Sequence, residues 1–361
     1  MTQMIGFEFG KIFKRKIVYV AILCIILLGG AMFQGRGVEG EIAMLPDGTY
    51  IEGREAVVYD IEVASRYKGE LTEEKIQNIL EEFSPRTKDA AFWGINTTYN
   101  MVAGFWGEND GSWNGMGVRD IFPNYQDEKE MVWNYNTGWL SYLEMGIYTM
   151  VFMGFLLVIA LSPVFSEEYT RGTDALILTA RYGKRQCVWA KIIASYLFTI
   201  FVTGGYLLLM TIGYFMEFGL VGGEASVQLN NHFLFQDVPY FLSYIQAAGY
   251  CLVLWIGGSL ILTAIVLLLS SLCKSSFITI IAALACYMGP NFLGQLRVPA
   301  ELLSLNPIWC FFAEKTLAIP KMFAGNGAGM SYVWVVAAFA VLAVGISFGM
   351  GRRIFARHQV T

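Results

Sequence analysis

Six stretches of about twenty apolar residues run through this sequence without a charged residue near their centres, at 17–33, 145–165, 192–216, 241–270, 276–296 and 331–351. A bilayer core about 30 Å thick is crossed by roughly 20 residues of helix, because only a helix satisfies its own backbone hydrogen bonds in hydrocarbon. Each stretch therefore predicts a transmembrane helix. Composition agrees: 55% of the residues are apolar and only 15% are charged, outside the range of ordinary soluble domains. The fold class expected is an all-α polytopic membrane protein of six spans, with a mixed helical and irregular extracellular domain between the first two.

Basic residues set the orientation. Lys11, Lys14, Arg15 and Lys16 precede the first span; Arg171, Arg181, Lys184, Arg185 and Lys191 lie between the second and third; Lys274 follows the fourth; Arg352, Arg353 and Arg357 follow the sixth. The positive-inside bias puts all of them in the cytoplasm, with both termini. The loop 217–240, with acids and no Lys or Arg, then faces outward. A basic start before an apolar run is also how a cleaved signal peptide begins, but "ILLGGAMFQG" has no clear small-x-small cleavage site. Within residues 1–16, Ile5, Phe9, Ile12 and Phe13 share one helical face, which predicts an interfacial helix.

Residues 34–140 are acidic on balance and long enough for a small domain. Ile76, Ile79, Leu80 and Phe83 repeat at helix spacing after a Thr72 cap, and Ser84-Pro85 stops the run. Farther on, Trp93, Trp106, Trp113, Trp133 and Trp139 are interleaved with Gly, Asn and Asp, as in loops or short strands around aromatic anchors. Two readings stand for these tryptophans: a domain core with its membrane contact, or a platform at which Trp93, Trp106, Trp113 and Trp133 receive a peptide, lipid or sugar. "ENDG" does not have the spacing of an EF-hand loop. All six cysteines fall in or beside the spans, so no disulfide framework or metal spacing is expected in the outer domain. The segment 297–330 is apolar but broken by Pro307 and Pro320, which predicts short helices dipping into the outer leaflet, with a plain surface loop as the alternative.

Much chemistry is excluded by inventory. There are two histidines, His232 and His358, both outside the spans, too few for an intramembrane hydrolase or metal centre. "EEYTR" is one residue short of the Glu-Glu-x-x-x-Arg signature of intramembrane CAAX-type proteases. The span interiors offer Ser, Thr, Tyr and Gly rather than Asp, Glu, Lys or Arg for coupling to a driving ion, which lowers the ion-driven carrier reading while backbone carbonyls could still hold sodium. No GxxxxGK[ST] occurs, so any ATPase site belongs to another polypeptide.

One charged block remains, "SEEYTRGTDALILTARYGKRQ" at 166–186, between spans two and three. Helix formers surround Gly172, and basic residues close the block, as suits a helix dipole. It reads either as a solvated connector or as a helix with acids on one side and Leu176, Ile177 and Leu178 available for docking a soluble partner.

This block resembles the signature of type-two ABC transporter permeases, the family of bacitracin, lantibiotic and sodium-export permeases: a Glu, three residues, Gly-Thr, an aliphatic pair and a later Lys. Glu168, Gly172, Thr173, Ile177 with Leu178, and Lys191 match it. Where many members place a Pro after the aliphatic pair, this chain has "TARYGKRQ". The resemblance implies a six-span fold with re-entrant helices between spans five and six. It further implies a loop, 166–191, that couples to a nucleotide-binding ABC ATPase subunit, with Glu167, Glu168, Arg171, Gly172 and Thr173 as coupling residues. ATP and Mg would sit on that partner and no cofactor on this chain; the other partners would be a second permease copy or paralogue and membrane lipid, with no nucleic acid. The expected setting is the plasma membrane of a Gram-positive bacterium. The cargo expected from an uncharged, aromatic-rich interior is hydrophobic or amphipathic, such as an antimicrobial peptide or lipid-linked molecule. Sodium export by the same family, and a membrane sensor with a ligand-binding outer domain, are the alternatives.

Overall fold

The structure is a computed structural model that describes residues 1–84, 94–123, 131–173, 186–230, 232, 234–293, 298–319 and 332–357. It is 73% helical, and among the described residues six helices are long and apolar enough to cross a membrane: Lys16–Gly40, Thr137–Thr170, Val188–Phe218, Tyr244–Leu272, Ser276–Leu293 and Tyr332–Gly349. The second begins eight residues earlier than hydropathy places it, at Thr137 rather than 145. The reason is burial: Ser141 and Glu144, polar residues ahead of the predicted start, are enclosed by protein at 3% and 7% exposure. A helix packed against protein does not need an apolar side chain at every position. Lys191, read as the end of a connecting loop, is likewise inside the Val188–Phe218 helix.

The chain divides into two compact units. The first takes Met1–Gly29, Gly146–Leu209 and Cys251–Thr361. Its helices approach closely where side chains are small. A Cβ at Gly146 would come within 2.0 Å of the Trp255 ring, and one at Gly154 within 2.4 Å of Tyr287. These glycines, eight residues apart on one helical face, are the sockets for two large aromatics, the small-residue device that brings membrane helices together. Both aromatics satisfy their polar tips: Tyr287 donates to the Val151 carbonyl at 2.8 Å and Trp255 Nε1 to the Phe311 carbonyl at 3.2 Å. Phe311 belongs to a run of helical turns, Ala300–Leu303, Pro307–Phe311 and Ala313–Leu317, where the sequence predicted short broken helices. The N-terminal helix, Thr2–Phe13, lays Phe9 and Phe13 against Phe198 and Phe201, with ring centroids 5.0–6.3 Å apart. That part of its apolar face is covered by protein.

The second unit takes Gly30–Met145 and Met210–Tyr250. An antiparallel hairpin, Ile42–Met44 with Tyr50–Glu52, leads into helix Arg54–Arg66. Helix Glu73–Phe83 is the one expected: the Thr72 hydroxyl accepts from the Lys75 N–H, and Ile76, Ile79, Leu80 and Phe83 face the core. Helix Thr97–Trp106 starts at an Asn96 cap, and Gly69–Glu70 pairs with Val132–Trp133. Trp106 and Trp133 are wholly buried within this core. They present no surface to a ligand, so the platform reading fails for both; an indole amid loops is as readily a core plug as a binding plate. Trp113 packs against the edge of the core and donates Nε1 to the Met116 carbonyl at 3.0 Å. Trp93 lies outside the described residues. The unit also takes in the loop between the third and fourth long helices, which the expected domain 34–140 omitted. Ser226 binds Val132 through both its N–H and its hydroxyl, at 2.8 and 2.9 Å, and Asn136 donates to the Leu229 carbonyl at 2.7 Å.

Candidate functional site

The matched motif begins on a short helix, Pro163–Thr170, that continues the Thr137–Leu161 helix after a break. Proline at the first helical position has no N–H to lose there, but it cannot continue the preceding helix. The break frees backbone groups, and Ser270 and Arg15 satisfy several of them. The Ser270 hydroxyl accepts from the N–H groups of Phe165 and Ser166 at 3.0 and 3.1 Å and donates to the Ser162 carbonyl at 2.6 Å. Arg15 donates to the Ala160 carbonyl at 2.9 Å. Tyr169 donates to the Ser271 carbonyl at 3.1 Å, and Thr170 to the Lys274 carbonyl at 3.2 Å. One side of the short helix is thereby fixed to the end of helix Tyr244–Leu272.

Its other end closes on Gly172. The Thr173 N–H returns to the Glu168 carbonyl at 3.0 Å and the Gly172 N–H to the Tyr169 carbonyl at 3.1 Å, the crossed pair of a Schellman cap. That cap needs a left-handed residue, and Gly172 has φ of 64°. The Gly-Thr pair of the motif is thus a helix stop. Thr173 adds a hydroxyl bond to the Glu168 carboxylate at 2.7 Å.

Glu168 is the centre of the site. It is 6% exposed and meets Lys191 at 2.9 Å and Lys11 at 2.6 Å. Lys191, 1% exposed, also binds Glu8 at 3.0 Å and donates to the Val164 carbonyl at 3.2 Å. Beside it, Glu167 holds Arg15 at 2.7 Å and Arg171 at 2.6 Å. Three carboxylates, Glu8, Glu167 and Glu168, meet four cations, Lys11, Arg15, Arg171 and Lys191. A buried ammonium is tolerated only when charge and hydrogen bonds both close around it; all three Lys191 donors are used.

The structure therefore brings Glu167, Glu168, Arg171, Gly172, Thr173 and Lys191 to one place. Glu168 was expected among acids offered to a partner; it is turned inward as the clamp between the short helix and helix Val188–Phe218. Arg171 is the exposed member, with 68% of its side chain open. Ile177 and Leu178 lie outside the described residues. Sequence reasoning missed the contribution of the N-terminal helix. Its signal was present: Glu8, Lys11 and Arg15 are spaced at i, i+3 and i+7, a charged stripe beside the apolar one. Nothing marked Ser270. Comparison with known proteins returns no match: no family model, no curated protein and no solved structure matches this chain.

Proposed function

We propose that this chain is the membrane-spanning subunit of an ATP-driven ABC exporter, carrying a hydrophobic or amphipathic cargo, with ATP and Mg held by separate ATPase subunits. What supports this most is the joint at helix Pro163–Thr170. The helix is bound on three sides, to the N-terminal helix through Lys11 and the link after it through Arg15, to helix Val188–Phe218 through Lys191, and to helix Tyr244–Leu272 through Ser270. A force applied to the loop beyond Gly172 is passed to all of these together, because buried ion pairs and a capped helix end resist bending locally. A solvated connector has no need of a wholly buried lysine. In this reading two permease copies, or this chain and a paralogue, dock two ATPases on the loops after Gly172 in the plasma membrane of a bacterium, and closure of the ATPases alternates access through the spans.

The test is co-purification with the ATPase subunit encoded beside it. The wild type retains a nucleotide-hydrolysing partner. Arg171→Glu, on the exposed face, releases it, and Lys191→Met keeps it but loses stimulation of ATP hydrolysis by amphipathic peptide. A wild-type chain that purifies with no ATPase, or variants that behave like it, would remove the proposal.

A further inference from the structure

The second unit encloses a cavity of about 330 Å³ lined by Arg36, Glu41, Thr97, Asn100, Ser141 and His232, among others. That volume is at the lower end for small-molecule sites, but the lining is polar, and acids exceed bases once Glu144 and Asp60 around it are counted with Glu41 against Arg36. Arg36 is already engaged: it donates to Glu144 at 3.0 Å and stands 3.2 Å from His232 Nε2, while His232 Nδ1 meets Glu144 at 3.0 Å. A ring protonated on Nδ1 donates to Glu144 and accepts from Arg36, so Arg36 and Glu144 neutralise each other and the triangle is satisfied.

Glu41 is left over. Its carboxylate makes no hydrogen bond or ion pair among the described residues, although protein surrounds most of it. Behind Thr97 lies a second acid, Asp60, 2% exposed. It accepts from the Thr97 N–H and hydroxyl with one oxygen and has no partner for the other. Asp60 raises the cost of ionising Glu41, the Arg36 guanidinium partly offsets it, and Tyr135 senses both acids. A half-buried carboxylate without an ion pair among the described residues, backed by a buried one with a free oxygen, leaves a deficit of positive charge at a water-accessible polar cavity that a ligand can fill.

We propose that this cavity binds a small polar molecule carrying an ammonium group, with Glu41 as its direct partner, Asp60 as supporting charge, and the hydroxyls and amides of Thr97, Ser141 and Asn100 as its hydrogen-bonding walls. The inference rests on the cavity alone and is independent of the transport reading. Burial and Asp60 push the Glu41 carboxyl up to about 7. An incoming ammonium therefore displaces a proton near neutral pH, and binding tightens as pH rises from 6 to 8.

The test uses the full chain in detergent micelles with ethanolamine and 1,5-diaminopentane, each against its uncharged counterpart, ethylene glycol and 1,5-pentanediol. At millimolar concentration the amines raise the melting temperature and the diols do not, the shift grows from pH 6 to 8, and Glu41→Gln abolishes it. Asp60→Asn weakens it. Calorimetry of the unaltered chain in two buffers of different ionisation enthalpy reads the released proton directly, so the proposal stays testable even if a variant fails to fold. Equal shifts from amines and diols, a response retained by Glu41→Gln, or no response and no proton release from either amine, overturns it.

Discussion

Replacing Lys191 with Met keeps all but the terminal atom of the side chain's length and removes its charge. At an effective dielectric of about 20, each contact near 3 Å represents roughly 5 kcal/mol of attraction before desolvation, and there are two, to Glu8 at 3.0 Å and Glu168 at 2.9 Å. Most of that offsets the cost of burying the ammonium, so the loss on substitution is set by what stays behind. Glu168 keeps Lys11 and Thr173, whereas Glu8, with 12% of its side chain open, is left with its charge uncompensated in a mostly closed site. The expected cost is about 3 kcal/mol, the lower end for a broken buried pair. Lys11→Met removes the shorter contact, 2.6 Å, but that side chain is 30% open; solvent screening limits the cost to about 1 kcal/mol or less. Unfolding by titration with SDS in mixed micelles orders the variants, and the double variant Glu168→Gln with Lys191→Met gives the coupling, about 2 kcal/mol. If Lys191→Met is no worse than Lys11→Met, or the double variant is simply additive, Lys191 is not the keystone of the cluster.

Gly172→Val places a branched side chain at φ of 64° and should cost about 2 kcal/mol, with Gly172→Asn recovering more than half, read by the same titration. In the second unit, Trp106→Ala should lower the melting temperature sharply, at a cost of about 3–5 kcal/mol, while Trp113→Ala, at the core edge, stays near 1 kcal/mol. Burial raises the carboxyls of Glu41 and Asp60, each to about 7. A raised folded-state value means that the folded chain holds protons the unfolded chain has released, so this stability is complete below about 4 and is lost as pH rises through about 7. The melting temperature should therefore fall between pH 5 and 8, and Glu41→Gln with Asp60→Asn should flatten the profile.

The six long helices were legible because hydrocarbon imposes a length and a composition that few other structures share. Helix Glu73–Phe83 was legible for a different reason: the Thr72 cap and the apolar spacing agree within eleven residues. Tryptophan burial was not, since Trp106 and Trp113 stand in the same glycine-rich setting and only the tertiary packing separates them. Nor was the attachment of Ser226 and Leu229 to Val132 and Asn136, which depends on three hydrogen bonds between distant segments. At the charged junction the residue types were readable and their direction was not. A Glu at a helix end looks the same in sequence whether it faces a partner or, as Glu168 does, a lysine 23 residues later.

The hydroxyl of Ser270 has a consequence for electrical insulation. A helix broken beside a membrane normally recruits water to its exposed amides and carbonyls, and a file of water molecules conducts protons. Here one uncharged oxygen takes two amide protons and returns its own to a carbonyl, while Arg15 occupies another. The groups freed at the break are thus met by protein and offer no string of sites to water. Ser270→Ala would leave two amides seeking water, and the current to look for is a small proton conductance in otherwise silent vesicles.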